Sequence, residues 1–84
     1  MELLVLTPEK EYFKGQIKSV TVPGKQSPFQ VLKDHAPLIS ALVAGEVKIE
    51  ENNGNIIKFG IDNGYIEVLD NELAILVQNV KSVD

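Results

Sequence analysis

The chain has no cysteine, no tryptophan and no arginine, and only one methionine and one histidine. Each absence removes a class of chemistry. Without cysteine there is no disulfide staple, no thiolate metal site and no thiol nucleophile. A single histidine leaves carboxylates as the only other ligands for a transition metal, which is a poor set. All eight basic residues are lysines and the net charge is −4. Phosphate and guanine edges are read best by the guanidinium fork, so this balance argues against nucleic acid as a partner. No apolar run approaches the ~20 residues of a membrane-spanning helix. The opening Met1–Glu11, MELLVLTPEKE, lacks the basic start and small-residue cleavage site of a secretory signal. The composition reads as a soluble, acidic, cytoplasmic protein. Its 84 residues allow one domain.

What is there has a period of two. Val47 and Ile49, then Ile57, Phe59 and Ile61, then Ile66 and Val68, then Leu73, Ile75 and Val77 each alternate with residues of the other face. This is the pattern of strands with one face in a core. Asn53-Gly54 and Asn63-Gly64 carry hairpin-turn chemistry, and Asp70-Asn71 is a weaker turn signal. Residues 45–79 therefore read as a four-stranded antiparallel meander. Leu3–Leu6 is apolar on both faces, so it is either covered twice or carries an interface. Tyr12–Val22 is a long strand whose buried parity slips between Ile17 and Val20, which predicts a β-bulge near Lys18-Ser19. Pro23-Gly24 closes it, Phe29–Leu32 forms a short strand, and Leu38–Val43 another. No segment carries a capped helical stripe. About eight to ten short strands with turns every 8–12 residues predict an all-β fold, a small flattened antiparallel sandwich or barrel spanning 1–84.

The chemistry-bearing residues are few. Asp34-His35 resembles an acid–base pair, but no cysteine or suitably placed serine is there to be activated, and a histidine in a turn is the simpler reading. Asp62–Glu67 lacks the ligand spacing of a calcium loop, and no glycine-rich phosphate cradle occurs. No cofactor is expected. Apolar surface is in surplus: both faces of Leu3–Leu6, the Phe29–Leu32 strand and Leu38-Ile39 exceed what one small core requires, and such surplus marks interaction surfaces. A generic β-sandwich ligand-binding or adhesion module is one reading. Two tyrosines and three phenylalanines with no tryptophan make a thin platform for stacking sugars.

The order of features gives a second reading. Leu4–Glu9, the step Phe13-Lys14-Gly15, Val20–Gly24, the run Phe29–Leu42 with its His35-Ala36-Pro37-Leu38 element, Gly45–Ile49, Asn63–Val68 and Leu73–Val77 follow one another as in a known family. Together they resemble the N-terminal β-sandwich domain of the epsilon subunit of F-type ATP synthase, over nearly the whole chain. The resemblance implies a flattened sandwich and a non-catalytic role in the rotor. It implies two partners, the gamma subunit and the membrane c-ring, with contact to the membrane only through that ring. The isolated chain is expected to be monomeric. In the cell it would be peripheral on the cytoplasmic side of the bacterial inner membrane. By similarity, Thr7 and Ser40 fall on the gamma side. Lys25, Gln26, Pro28, Asp34, His35 and Leu38 fall on the c-ring side.

Two departures stand out. Family members carry a G-x-x-G-x-[FL]-G loop, often with an acid, where this chain has Gly24–Gln30, and a Pro-Gly where it has Lys33-Asp34. Asp34 is the candidate to replace the lost acid. Many members also continue into a C-terminal pair of helices that inhibits hydrolysis and sometimes binds ATP. This chain stops at Val83-Asp84, so neither property is expected of it.

Overall fold

A computed structural model describes residues 1–82; Val83 and Asp84, where the sandwich is expected to end, lie outside the described residues. The elements are β1 (Glu2–Leu6), β2 (Glu11–Val22), β3 (Phe29–Val31), β4 (Leu38–Leu42), β5 (Gly45–Glu51), β6 (Ile56–Ile61), β7 (Gly64–Leu69), β8 (Glu72–Val77) and β9 (Val80–Ser82). No helix occurs among the described residues. The strand path is β4-β7-β8-β1-β2-β5-β6-β9, with β3 attached to β2.

β2 makes this path a sandwich. Its first half pairs with β1 and its second half with β5 and β3, so one strand serves both layers. The first sheet holds β4, β7, β8, β1 and the start of β2. The second holds β3, the end of β2, β5, β6 and β9. The predicted bulge is present: Ile17 faces Glu51 and Ser19 faces Glu50, leaving Lys18 as the extra residue. The slip turns Val20 and Val22 inward beside Ile17 despite their opposite parity. A second irregularity at Tyr12 was not anticipated. Val5 faces Phe13 but Leu6 faces Glu11, and the Tyr12 ring lies against Phe59 at 4.8 Å between centroids.

The core is the period-two set. Leu3 and Val5 of β1, Ile17, Val20 and Val22 of β2, Val47 and Ile49 of β5, Phe59 and Ile61 of β6, Ile66 and Val68 of β7, and Leu73, Ile75 and Val77 of β8 are all buried. Each such side chain contributes about 1.5–3 kcal/mol relative to exposure.

The expected meander over 45–79 does not form. β5 pairs with β6 in the second sheet and β7 pairs with β8 in the first, but β6 and β7 do not pair. Asn63-Gly64 is therefore a crossing between layers rather than a hairpin turn. Gly64 opens β7 without a positive φ, and a Cβ there would collide with the Leu76 carbonyl oxygen, so the glycine serves close strand approach. The weaker signal, Asp70-Asn71, is the tight two-residue turn. Both residues are left-handed (φ 51° and 63°) between Leu69 and Glu72, as a type I′ turn requires. Asn53-Gly54 does turn a hairpin, with Gly54 at φ 88° and its N–H bonded to the Glu51 carbonyl.

The sheet is also not wholly antiparallel. β1 runs parallel to β8, Leu3 beside Leu73 and Leu6 beside Leu76. With β2 on its other side, β1 is interior to the first sheet. Its inner residues, Leu3 and Val5, enter the core. Leu4 and Leu6, half-buried, face outward.

Candidate functional site

The side chains that alternate away from the core differ between the two sheets. On the first sheet the register aligns Ala41, Tyr65, Leu76 and Leu6 in one row and Ile39, Glu67, Ala74, Leu4 and Lys14 in the next. Leu69 lies beyond them on β7. Ile39 is 76% exposed and Leu69 57%. This face is a largely apolar surface crossed by one band of charge. On the second sheet the corresponding row is Gln30, Thr21, Lys48 and Lys58, with Glu46 and Lys81 flanking Gly60. Contiguous apolar surface with a polar rim marks a contact site, and the first sheet has it.

Thr7 and Ser40 lie at the margins of that sheet, but Ser40 pairs with the buried Ile66 and so takes the inward parity of β4, opposite to Ile39 and Ala41. Ser40 lies on β4 at one edge, and Thr7 follows β1 three strands away, roughly 14 Å at the usual strand spacing. Thr7 is tied into the β1–β2 connection. Its N–H donates to the Lys10 carbonyl at 2.9 Å, and its hydroxyl accepts the Lys10 N–H at 3.1 Å. The Ser40 hydroxyl reaches only the Ala41 carbonyl, at 3.4 Å.

The six residues expected on the opposite side do not form one cluster. Lys25, Gln26 and Pro28 belong to the loop before β3, and Asp34, His35 and Leu38 follow β3 and start β4. The two groups sit at opposite ends of that three-residue strand, about 10 Å apart along it. Lys25 and Gln26 line a groove with Ser40, so residues expected on two different sides meet there. Leu38 lines a separate recess with Ile39 and Leu69.

Asp34 has a definite structural task. It is left-handed (φ 66°), a conformation that asparagine and aspartate tolerate better than other residues with a Cβ. Its N–H donates to Asn71 Oδ1 at 2.7 Å, and its Oδ1 accepts from Asn71 Nδ2 at 3.0 Å. The Asn71 carbonyl accepts the Glu2 N–H at 2.9 Å. Asn71 thus ties the loop before β4, the β7–β8 turn and the start of β1 to one another. Sequence reading overlooked Asn71 because its signal looked like an ordinary turn. It also overlooked Tyr65, Leu69, Ala74 and Leu76. Their signal was there, in apolar residues occupying the outward parity of β7 and β8.

Asp34 and His35 do not form an acid–base pair. The imidazole Nδ1 lies 2.7 Å from the Ala36 carbonyl, and the Asp34 carboxylate faces Asn71. No cluster of three or more metal-ligating side chains occurs among the described residues. The Asp62 carboxylate has a displaced pKa. The Lys81 ammonium at 2.9 Å, then the Asn79 amide at 2.8 Å, hold it below its ordinary value. These contacts pin the β6–β7 crossing to β9.

Comparison with known proteins agrees with this architecture. A sequence model of the ATP synthase delta/epsilon-chain β-sandwich domain matches residues 1–83. The chain belongs to the ATP synthase delta/epsilon family. Epsilon chains of this family include that of Chlorobaculum tepidum, 41% identical over 76 residues, covering 90% of this chain and 86% of the relative. That of Chlorobium limicola is 37% identical over 79 residues, covering 94% and 90%. The epsilon chain of Leptospira borgpetersenii is 34% identical, and the match spans only 61% of its length. Among solved structures, a chain of the Euglena gracilis mitochondrial ATP synthase superposes with a TM-score of 0.87 at 19% identity, covering 93% of this chain and 50% of that one. A chain from the central stalk and c-ring of the Tetrahymena thermophila enzyme gives 0.81 at 23% identity, covering 96% and 65%. At these identities the structures speak to the delta/epsilon fold alone.

Proposed function

We propose that this chain is a non-catalytic central-stalk subunit of the F1 sector, joining the gamma subunit to the membrane c-ring. It turns with both partners and so couples ion flow to ATP synthesis. As part of F1 it sits on the cytoplasmic side of the bacterial inner membrane and is monomeric when isolated. Family membership supplies the setting. The observation that carries the reading is the apolar outer face of the first sheet, with Leu4, Leu6, Ile39, Tyr65 and Leu76 on it.

That face is the gamma side in this reading. Leu4, Leu6, Tyr65 and Leu76 supply non-directional burial over several strands, and the ladders behind them make a stiff backing. A rotor contact needs both, since a compliant face would absorb torque. The loops around Lys25–Pro28 and Asp34–Leu38 form the c-ring side, with Lys25 at its boundary with the gamma side, where it shares a groove with β4. Asp34 is engaged by Asn71, so its role there is to shape the loop rather than to offer a free carboxylate. Calorimetric titration into the cognate gamma subunit tests the reading, with Ser40→Trp as the disrupting control. One-to-one binding weakened by the control is expected. A folded gamma subunit that does not bind the chain would refute it.

A further inference from the structure

The first sheet ends in β4, whose sequence Leu38-Ile39-Ser40-Ala41-Leu42 contains no charge and no proline and pairs with β7 without a bulge. Exposed sheet edges are normally blunted by shortness, lysine, proline or a bulge, because unpaired N–H and C=O groups recruit other chains. The other edges follow that rule. β3 and β9 are three residues each, and β9 carries Lys81. β4 alone is long, apolar and undefended among the described strands.

The direction of its backbone groups follows from one hydrogen bond. The Val43 N–H donates to the Pro23 carbonyl at 2.9 Å, on the side away from β7. Alternate residues of an antiparallel strand aim their backbone groups to the same side. The N–H groups of Ala41 and Ile39 therefore point the same way as that of Val43. Beyond the single bridge between Gly24 and Leu42, no backbone hydrogen bond covers them among the described residues. They open on a groove of about 400 Å³ lined by Ile39, Ser40 and Ala41 on one wall and Lys25 and Phe29 on the other.

We propose that an extended segment of the gamma subunit adds to β4 as a further strand, with an apolar side chain against Ile39 and a carboxylate near Lys25. The inference rests on the stalk reading above and names how that partner is held. Two donors about 7 Å apart along an edge match the carbonyl repeat of an extended chain, whereas a helix keeps its carbonyls for itself. Lys25 is the one charged side chain on the groove, which selects an acid on the incoming segment. It also disfavours a second copy of this chain: pairing β4 with β4 about Ser40 would offer Lys25 no partner, since no carboxylate lines the groove.

Amide hydrogen exchange by NMR, on the chain alone and with the cognate gamma subunit, tests this directly. In the free chain Ile39 and Ala41 should exchange roughly 100-fold faster than Ser40 and Leu42, which bond to β7. Gamma should slow Ile39 and Ala41 by about tenfold or more. Unchanged rates at these two amides in a formed complex would overturn strand addition and leave the stalk reading standing. Failure of gamma to bind at all would overturn both. Protection that grows with the concentration of the chain alone would assign the edge to a second copy and overturn the proposal. Ala41→Pro removes one outward donor and no bond to β7, so it should fold normally and bind gamma about tenfold more weakly. Lys25→Glu should weaken binding as well. Wild-type affinity in a folded Ala41→Pro variant, or tighter binding by Lys25→Glu, would contradict the proposal.

Discussion

The two sheets bury their inner faces by the same rule and treat their outer faces in opposite ways. In both, alternate residues enter one core, and its buried hydrophobic side chains are aliphatic apart from Phe59. Outside, the second sheet offers Thr21, Lys48 and Lys58, which water solvates without cost. The first offers Leu4, Leu6, Ile39, Tyr65, Leu69 and Leu76, which water does not favour. Folding needs only the inner parity. The outward parity is therefore where a sandwich of this kind records what it binds.

The largest expected effect would erase the difference by removing what the sheets share. Phe59→Ala empties the centre of the core, where Phe59 is fully buried and meets Tyr12. It should cost about 3–5 kcal/mol in urea unfolding, a large part of the stability of so small a domain. Next comes inversion of one face. Leu6→Glu with Tyr65→Asp should weaken gamma binding by roughly 100-fold in calorimetry, because it places charge at the centre of the apolar surface. Lys48→Glu on the other face should leave that affinity within about twofold, since exposed charges away from a contact contribute little.

A smaller effect is expected at the tie between the sheet and its neighbouring loop. Asn71→Ala removes the side chain that holds Asp34 and puts alanine at φ 63°, so about 1–3 kcal/mol of stability should be lost. Asp34→Gly relieves the left-handed conformation while losing only one of the two clamp bonds, and should cost less than half as much. A thermal melt of the two variants distinguishes them.

The smallest effect is on the second sheet. Asp62 is held below its ordinary pKa by Lys81 and Asn79. A carboxylate depressed in the folded state stabilises it above the unfolded pKa, and that contribution fades as pH falls through the folded value. The contribution is therefore complete above the ordinary aspartate value of about 3.9 and declines below it. Asp62→Asn should lower stability slightly in the neutral region and leave the most acidic region unchanged, so that the acid limb of the profile is flatter.

How much of this was legible in the sequence depended on whether the signal was local. Strand period, the bulge at Lys18 and the inner core are set by neighbouring residues, and all could be read. Pairing was not local. Asn63-Gly64 has hairpin composition but crosses between layers, and only the packing of Gly64 against Leu76 shows why glycine is needed. Asp70-Asn71 looked weaker, yet its two side chains accept the left-handed region that the tight turn demands. The parallel contact of β1 with β8 joins residues some seventy positions apart and leaves no trace in either segment. The placement of the candidate contact residues is not local either. Thr7 and Ser40 fall on one sheet, whereas the loops around Lys25 and Asp34 separate at the two ends of β3. The apolar outward parity of β7 and β8 was visible, but it acquires meaning only once the register aligns it with Leu4 and Leu6.

The central claim is that the outer face of the first sheet is the gamma-facing surface. The most direct test is paired calorimetric titration of the cognate gamma subunit with the wild-type chain, the Leu6→Glu/Tyr65→Asp variant and the Lys48→Glu variant, each first shown to be folded. The account predicts one-to-one binding that the first variant abolishes or weakens by roughly 100-fold and the second leaves intact. Full affinity in the first variant, or its loss in the second, would contradict the account.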